Sequence, residues 1–113
     1  MSKVAEFNEY RSTMNEKLLS SDNKVIKRIF NLDTNAFEGG SIDKTTKELI
    51  GLTCSMVLRC DDCVKYHLGK CHELGLTSEQ IMEALSIASL IGGTITIPHL
   101  RRAKEYWEEL ENE

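Results

Sequence analysis

The sequence is poor in residues that interrupt helices, and it has no pattern typical of strands. Proline occurs only at Pro98 among the 113 residues. Proline in a helix interior removes a backbone donor and clashes with the preceding turn, so its rarity is compatible with long helices. No segment alternates apolar and polar residues over any length, as a half-buried strand would. These two absences favour an all-α fold.

Three further absences exclude classes of function. No apolar run approaches the roughly 18 residues that a membrane span requires. Acidic residues outnumber basic ones by 18 to 14, giving a net charge of -4, so the chain lacks the basic excess of a nucleic-acid-binding domain. The N-terminal segment contains Glu6 and Glu9 and lacks the apolar stretch of a signal peptide. We therefore expect a cytoplasmic protein that binds neither membranes nor nucleic acid.

Helix-starting and helix-ending residues divide the chain into six predicted helices of a single domain, 1–113. Asp22 and Asp43 are the expected N-caps of the second and third helices. Gly75 is placed to end the fourth, and Thr77–Gln80 is a capping box that opens the fifth. Pro98 suits the first turn of the last helix. The predicted helices cover about 3–20, 22–32, 44–59 and 60–74, then the stretch from the capping box to Gly92–Gly93, and the segment from Pro98 onward. The β-branched stretch Thr94–Ile97 is compatible with an extended conformation and stays unassigned.

The third and fifth predicted helices are apolar on all sides. Such a helix must be buried all round, which a chain of this length can hardly provide twice. We therefore predict a homo-oligomer in which these helices meet across an interface; a groove for an apolar ligand is the alternative. The apolar residues are Leu49, Ile50, Leu52, Cys54, Met56, Val57 and Leu58, followed by Ile81, Met82, Ala84, Leu85, Ile87, Ala88, Leu90 and Ile91.

Two cysteines and a histidine share one face of the fourth predicted helix. Cys60 and Cys63 are three residues apart, and His67 follows four residues later, so the three are neighbours on a helix. The cysteine Cα atoms should lie about 5 Å apart, within disulfide range. A histidine activates a neighbouring thiol as a nucleophile, and a second cysteine converts a sulfenic acid into a disulfide. In a reducing cytosol, such a cluster favours redox chemistry over a structural disulfide.

Two aspartates stand between the cysteines. The start of a helix stabilises a thiolate through its dipole. Asp61 and Asp62 oppose that effect by placing carboxylates nearby. We therefore expect His67 to be required as the activating partner.

Other interpretations of the cysteine motif stay open. Zinc is one, because Cys54, Cys71 and His72 offer further ligands, although the two ends of the motif are about 10 Å apart along a helix axis. Two packed cysteines beside a hydrogen-bonded histidine are another. A c-type haem site is excluded, because Val64 stands where its histidine would directly follow the second cysteine.

Glu48 is a further candidate, since its neighbours Leu49, Ile50 and Leu52 are apolar. A buried carboxyl has a raised pKa and can relay protons to a histidine. An ordinary solvated glutamate in the first turn of a helix is the competing interpretation, and the sequence alone slightly favours it.

The remaining reactive or aromatic side chains are assigned structural roles. Cys54 and Cys71 are interpreted as packing residues, although Cys71 continues the helical face of His67 at the next turn. His99 is interpreted as a surface residue at a helix start, with a place in the lining of a pocket as the alternative, and His72 as a solvated neighbour of the motif. Tyr66 and Trp107 are expected to pack.

The motifs together resemble the AhpD-like, or carboxymuconolactone decarboxylase, family. The resemblance lies in Lys47–Leu52, in Cys60-x-x-Cys63-x-x-x-His67, in Gly75–Thr77, and in the stretch from Glu79–Ile81 and Glu83–Leu85 to Gly92–Gly93. It covers about residues 42–100, whereas the first 40 residues carry no motif. The family is all-α and its members typically assemble as trimers or hexamers, so the resemblance implies a helical bundle of this kind.

The resemblance also implies an activity, that of a thiol-dependent hydroperoxide reductase with a Glu–Cys–Cys–His proton relay. Carried over to this chain, the resemblance implies that Cys63 attacks the hydroperoxide and that His67 activates the Cys63 thiol. Glu48 relays protons behind the histidine, and Cys60 closes the disulfide. The implied partner is a dithiol reductant, either a lipoamide-bearing or a thioredoxin-like protein, and neither a cofactor nor a metal is implied.

Two features distinguish this chain from the best-known hydroperoxidases. It is shorter than those two-part enzymes, and Asp62 stands where they carry a histidine. An acid at that position should raise the thiol pKa and lower reactivity at neutral pH. Lactone decarboxylation remains an alternative activity, although that branch of the family generally lacks the cysteine pair. A non-catalytic redox-sensing oligomer is the other alternative.

Overall fold

Six α-helices make up most of the computed structural model, which describes residues 2–113. They are α1 (Lys3–Leu19), α2 (Lys24–Ala36), α3 (Lys44–Val57), α4 (Asp61–Glu73), α5 (Ser78–Gly92) and α6 (Ile97–Glu111). A 3₁₀ turn, Thr94–Thr96, occupies the segment left unassigned by the sequence. No strand forms within the described residues, so the all-α prediction is confirmed. None of the described helices combines the length and apolarity needed to cross a bilayer.

Local hydrogen bonds explain where most of the helices begin. The Asp43 side chain accepts from the Thr46 backbone N–H at 2.7 Å, which lowers the pKa of this carboxyl and caps α3 as predicted. Thr77 and Gln80 form the predicted capping box of α5. The predicted cap of α2 is wrong: the Asn23 side chain accepts from two backbone N–H groups, whereas Asp22 has a left-handed backbone with φ 60°. The cap is therefore one residue later than predicted, and α2 also runs four residues further.

The core lies where α3, α4, α5 and α6 meet. α3 packs against α4 and α5, α4 also packs against α6, and α1 covers α6. Burying these side chains supplies the main driving force for folding, at about 25 cal/mol for each Å² of apolar surface. The buried apolar residues are Val4, Leu52, Met56, Val64, Leu68, Cys71, Ile81, Leu85, Ala88, Ala103, Tyr106, Trp107 and Leu110.

Helix α2 contributes no buried residue to this core. Its apolar residues Val25, Ile29 and Leu32 follow helical spacing on one side and are 58–66% exposed. Helices α3 and α5 bury one face each. Their other faces expose Ile50, Ile87, Leu90 and Ile91, with Leu90 84% exposed, and Leu58 directly after α3 is exposed as well. One copy of the chain therefore leaves much of the apolar surface of α3 and α5 exposed. This surface is the basis of the predicted oligomer.

Two glycines in and after α4 provide a test of how this helix ends. Gly75 has φ +83°, whereas Gly69 lies inside the helix, and a Cβ added at either position meets nothing within 4 Å. Gly75→Ala should lower the free energy of unfolding by about 1–2 kcal/mol, because a side chain is strained in the left-handed region. Gly69→Ala should raise it by up to about 1 kcal/mol through helix propensity. Urea unfolding of both variants measures the difference, and equal effects would contradict this account of the helix end.

Candidate functional site

The cysteine pair lies at the N-terminus of α4, immediately after a sharp turn from α3. Arg59 has a left-handed backbone with φ 59°, which redirects the chain after α3 ends. Cys60 is the N-cap of α4, and its Sγ accepts from the Cys63 backbone N–H at 3.3 Å. The two cysteines form a disulfide with their Cα atoms 5.3 Å apart, in agreement with the helical spacing. The pair is therefore held in disulfide geometry by the helix itself.

A buried carboxylate–histidine pair lies behind the cysteines. Oε1 of Glu48, on α3, is 2.8 Å from Nδ1 of His67, on α4. Glu48 is 1% exposed and His67 is 8% exposed, so the solvated alternative for Glu48 is wrong. Lys44, one turn earlier, has its Nζ 3.7 Å from the other carboxylate oxygen. An ionised carboxylate only accepts hydrogen bonds, so in a contact with ionised Glu48 the Nδ1 of His67 is the donor and Nε2 is the nitrogen left to act as a base.

The His67 ring is fixed by what surrounds it. Gly51 faces the ring so closely that a Cβ there would lie 2.6–2.9 Å from three ring atoms. Phe37 and Tyr66 flank the ring, with centroids 5.1 and 5.2 Å away. Together with the hydrogen bond to Glu48, these contacts leave the imidazole little freedom to rotate.

Phe37 comes from the segment that connects α2 to α3. The Nζ of Lys47 donates to the backbone carbonyls of Ala36 and Glu38, at 2.9 and 2.7 Å. The Nζ of Lys44 donates to the carbonyl of Phe37 at 3.3 Å. These bonds tie the end of α2 to α3 and keep the phenyl ring against His67.

A cavity of about 240 Å³ opens in front of the site. It brings together Cys63 and His67, and its other walls are Arg11, Asp33, Asp62 and Tyr66. The Arg11 guanidinium lies 4.3 Å from the centroid of the Tyr66 ring, a distance typical of a cation–π contact. Tyr66, expected only to pack, therefore also lines this cavity.

The structure separates the roles of the two remaining cysteines. Cys71 is fully buried, and burial together with the charge of Glu48 raises the pKa of its thiol to about 12. It stays protonated at neutral pH and packs, as predicted. Cys54 is exposed on α3, so its assignment as a packing residue is wrong: it points away from the one face of α3 that is covered.

The structure also shows the contacts of the other two histidines and of the tryptophan. The prediction that His99 is a plain surface residue is wrong, because its ring, on α6, contacts Asp61 at the start of α4. His72 is exposed, as expected, and its ring meets the buried Trp107 edge-on. No three His, Cys, Asp or Glu side chains of residues 2–113 converge as a metal site requires.

Sequence reasoning missed Phe37, Gly51, Arg11 and Asp33. Gly51 alone carried a local signal, since a glycine inside a helix often marks close packing. Arg11 reaches the site from α1, Asp33 from α2 and Phe37 from the connection to α3. Their contacts with the site have no fixed spacing along the chain.

Comparisons with known proteins match these features. The family model described as the carboxymuconolactone decarboxylase family matches residues 23–106, so the match extends further at both ends than the motifs predicted. A carboxymuconolactone decarboxylase family protein from Thermotoga maritima, for which an antioxidative role has been suggested, has a similar structure. It is 50% identical, with a TM-score of 0.91 covering 95% of this chain and 91% of that one. A family protein from Legionella pneumophila is 25% identical, with a TM-score of 0.87 over 97% and 98% of the two chains.

Curated relatives include enzymes as well as uncharacterised proteins. An uncharacterised protein of the cox locus of Paracoccus denitrificans is 32% identical over 66% of this chain and 68% of its own length. The alkyl hydroperoxide reductase AhpD of Corynebacterium kroppenstedtii is 33% identical over 79% of this chain, which spans only 50% of that enzyme. The family model covers most of the chain, and the folds agree along nearly its whole length. The chain therefore belongs to the carboxymuconolactone decarboxylase family.

Proposed function

We propose that this protein is a thiol-dependent hydroperoxide reductase that cycles through the Cys60–Cys63 disulfide. The observation that carries this proposal is the buried Glu48–His67 hydrogen bond beside a cysteine pair already held at disulfide distance. The similarity to two AhpD enzymes supports it. Because the chain spans half or less of each enzyme, their activity is transferred here as a proposal.

The proposed reduction of a hydroperoxide has two steps, oxidation of Cys63 and formation of the disulfide with Cys60. In the reduced protein, Nε2 of His67 accepts the Cys63 proton, and Glu48 stabilises the resulting imidazolium. The thiolate attacks the terminal peroxide oxygen, the O–O bond breaks, and the leaving alkoxide takes the proton as an alcohol. Cys63 is then a sulfenic acid. The Cys60 sulfur attacks it, forming the disulfide and releasing water.

Returning to the dithiol state requires two electrons and two protons from outside the site. A dithiol of the lipoamide or thioredoxin-like class supplies both and becomes a disulfide itself. Cys63 is exposed at the cavity, so an incoming thiolate can attack its sulfur. A protein-borne dithiol is accordingly the proposed partner.

Lactone decarboxylation is the activity named in the family description. The cysteine pair gives no chemical reason for that reaction, since no redox step is involved in it. A non-catalytic redox sensor would use the same disulfide but would not turn over. These alternatives are separated by the first experiment below.

We also propose that the protein is a homo-oligomer. The exposed apolar residues of α5 include Ile87, Leu90 and Ile91, a group at helical spacing that resembles the core of an interface more than a solvated surface. The exposed face of α2, Val25, Ile29 and Leu32, is a second such area. A trimer or hexamer, as is typical of this family, would cover these faces.

Intact mass spectrometry after one equivalent of hydroperoxide tests the roles of the cysteines. The reduced wild type should lose two hydrogens. Cys60→Ser should instead gain one oxygen, because its sulfenic acid has no neighbouring thiol, and Cys63→Ser should react no faster than a free cysteine. Subsequent turnover with dihydrolipoamide distinguishes an enzyme from a sensor. If neither cysteine reacts faster than a free thiol, the proposal is wrong and direct lactone assays become the better test.

Replacing Glu48 tests the buried pair. Glu48→Gln retains the side-chain size but removes the charge that stabilises the imidazolium, so the rate of Cys63 oxidation should fall by roughly 10–100-fold. Stopped-flow kinetics with an excess of hydroperoxide measures it. Glu83→Gln, an exposed glutamate on α5, is the matched control and should change nothing; equal rates in the two variants would remove Glu48 from the mechanism.

A charge on the exposed face of α5 tests the oligomer. Leu90→Glu should lower the mass measured by light scattering, because a carboxylate buried in an apolar interface is costly. Ser12→Glu, at an exposed position of α1, is the control for an added charge away from the apolar face of α5. A wild type that already runs as a 12.8 kDa monomer would contradict the proposed assembly.

A further inference from the structure

A second carboxylate–histidine contact lies at the start of α4, outside the machinery proposed above. The first residue of α4 is Asp61, which directly follows Cys60. Its Oδ1 is 2.7 Å from Nδ1 of His99, and its Oδ2 accepts from Nε of Arg102 at 2.8 Å. A guanidinium nitrogen of Arg102 also lies 3.3 Å from His99 Nδ1. The three side chains thus form a triangle between α4 and α6, in which the two contacts to Asp61 are the hydrogen bonds, because an Nδ1 that donates to Asp61 cannot accept from Arg102. All these contacts depend on α6 crossing the N-terminus of α4.

The triangle changes the electrostatics next to the cysteines. An uncompensated carboxylate at Asp61, beside Cys60, disfavours a thiolate. Partial burial raises the pKa of Asp61, but the hydrogen bonds from His99 and Arg102 outweigh it and bring the pKa below its usual value. The carboxylate is therefore ionised at neutral pH, and its charge is balanced by a guanidinium at hydrogen-bond distance.

We propose that Arg102, assisted by His99, is a positioning residue of the disulfide site that cancels the charge of Asp61 and so allows the reduced cysteine pair to ionise. This inference rests on the proposed function, in which a cysteine thiolate is the species that attacks the hydroperoxide. The compensation comes from α6, a helix that contributes no residue to the cavity lining. Asp61 in turn stabilises the start of α4, since an acid in the first turn is favourable to the helix dipole.

The other charges around the cysteines do not replace this compensation. Asp62 has no ion pair within residues 2–113 and lines the cavity as a carboxylate. Asp33 adds another, whereas Arg11 and His67 are the basic groups there. Arg59 directly precedes Cys60 but is exposed, and Lys44 pairs with Glu48. Removing the positive charge of Arg102 therefore leaves the acids next to the cysteines in excess.

Two substitutions that break the same triangle should act in opposite directions. Arg102→Gln removes the guanidinium and leaves Asp61 with only the His99 contact. It should raise the pKa of the reduced cysteine thiols by about half a unit, which lowers their thiolate fraction at neutral pH about threefold. Asp61→Asn removes the carboxylate and should lower the thiol pKa by a similar amount. A merely structural contact would move both variants the same way, because each loses the link between α4 and α6.

The pH dependence of iodoacetamide alkylation of the reduced protein measures the thiol pKa without any peroxide turnover. A Cys54→Ser background removes the exposed thiol of α3, and peptide mass mapping assigns the modified cysteine. The result is therefore independent of whether the peroxidase proposal holds. Circular dichroism verifies that each variant is folded.

Two further variants complete the test. Arg101→Gln makes the same substitution at the preceding, exposed residue of α6, which takes no part in the triangle, and should leave the thiol pKa unchanged. Arg102→Lys retains the charge and should stay close to the wild type. The proposal is overturned if Arg102→Gln and Asp61→Asn shift the thiol pKa in the same direction, or if neither shifts it more than Arg101→Gln does.

Discussion

The hydrogen bond between Glu48 and His67 is the interaction on which the site depends. A carboxylate that is almost fully buried requires a partner, because an unpaired charge in the interior is costly. The pairing links α3 to α4 inside the core. It also leaves Nε2 as the imidazole nitrogen that is not engaged by Glu48. Well-packed apolar residues of similar size are often as stabilising as a buried ion pair, so stability alone does not account for the pair.

Local features of the sequence were sufficient to predict six helices and the cysteine motif. Caps such as Asp43 and the box at Thr77 act within one turn, so their effect is visible in a short segment. The cap of α2 was misplaced because Asp22 and Asn23 are both good capping residues and only the backbone distinguishes them. The burial of Glu48 could not be predicted, since it depends on how α3 and α4 are oriented. Cys54 was misassigned for the same reason: an apolar helix need not be covered by its own chain.

Helix α4 is held by carboxylate–histidine contacts at two places along its length. Asp61 at its start is bound by α6, and His67 in its middle is bound by α3. Cys63 lies between these two attachments and Cys60 directly precedes the first, at the end where the helix dipole favours negative charge. The rigidity of the site therefore comes from the surrounding helices, while Cys63 stays accessible from the cavity.

Gly51 gives the site a signature that can be sought in other sequences. Its missing side chain makes room for the imidazole, and the room is so tight that alanine would collide with three ring atoms. A homologue that keeps the glutamate, cysteines and histidine but carries a larger residue at this position must hold its histidine differently. This single helical glycine, three residues after Glu48, thus distinguishes chains that can share this arrangement from those that retain only the motif.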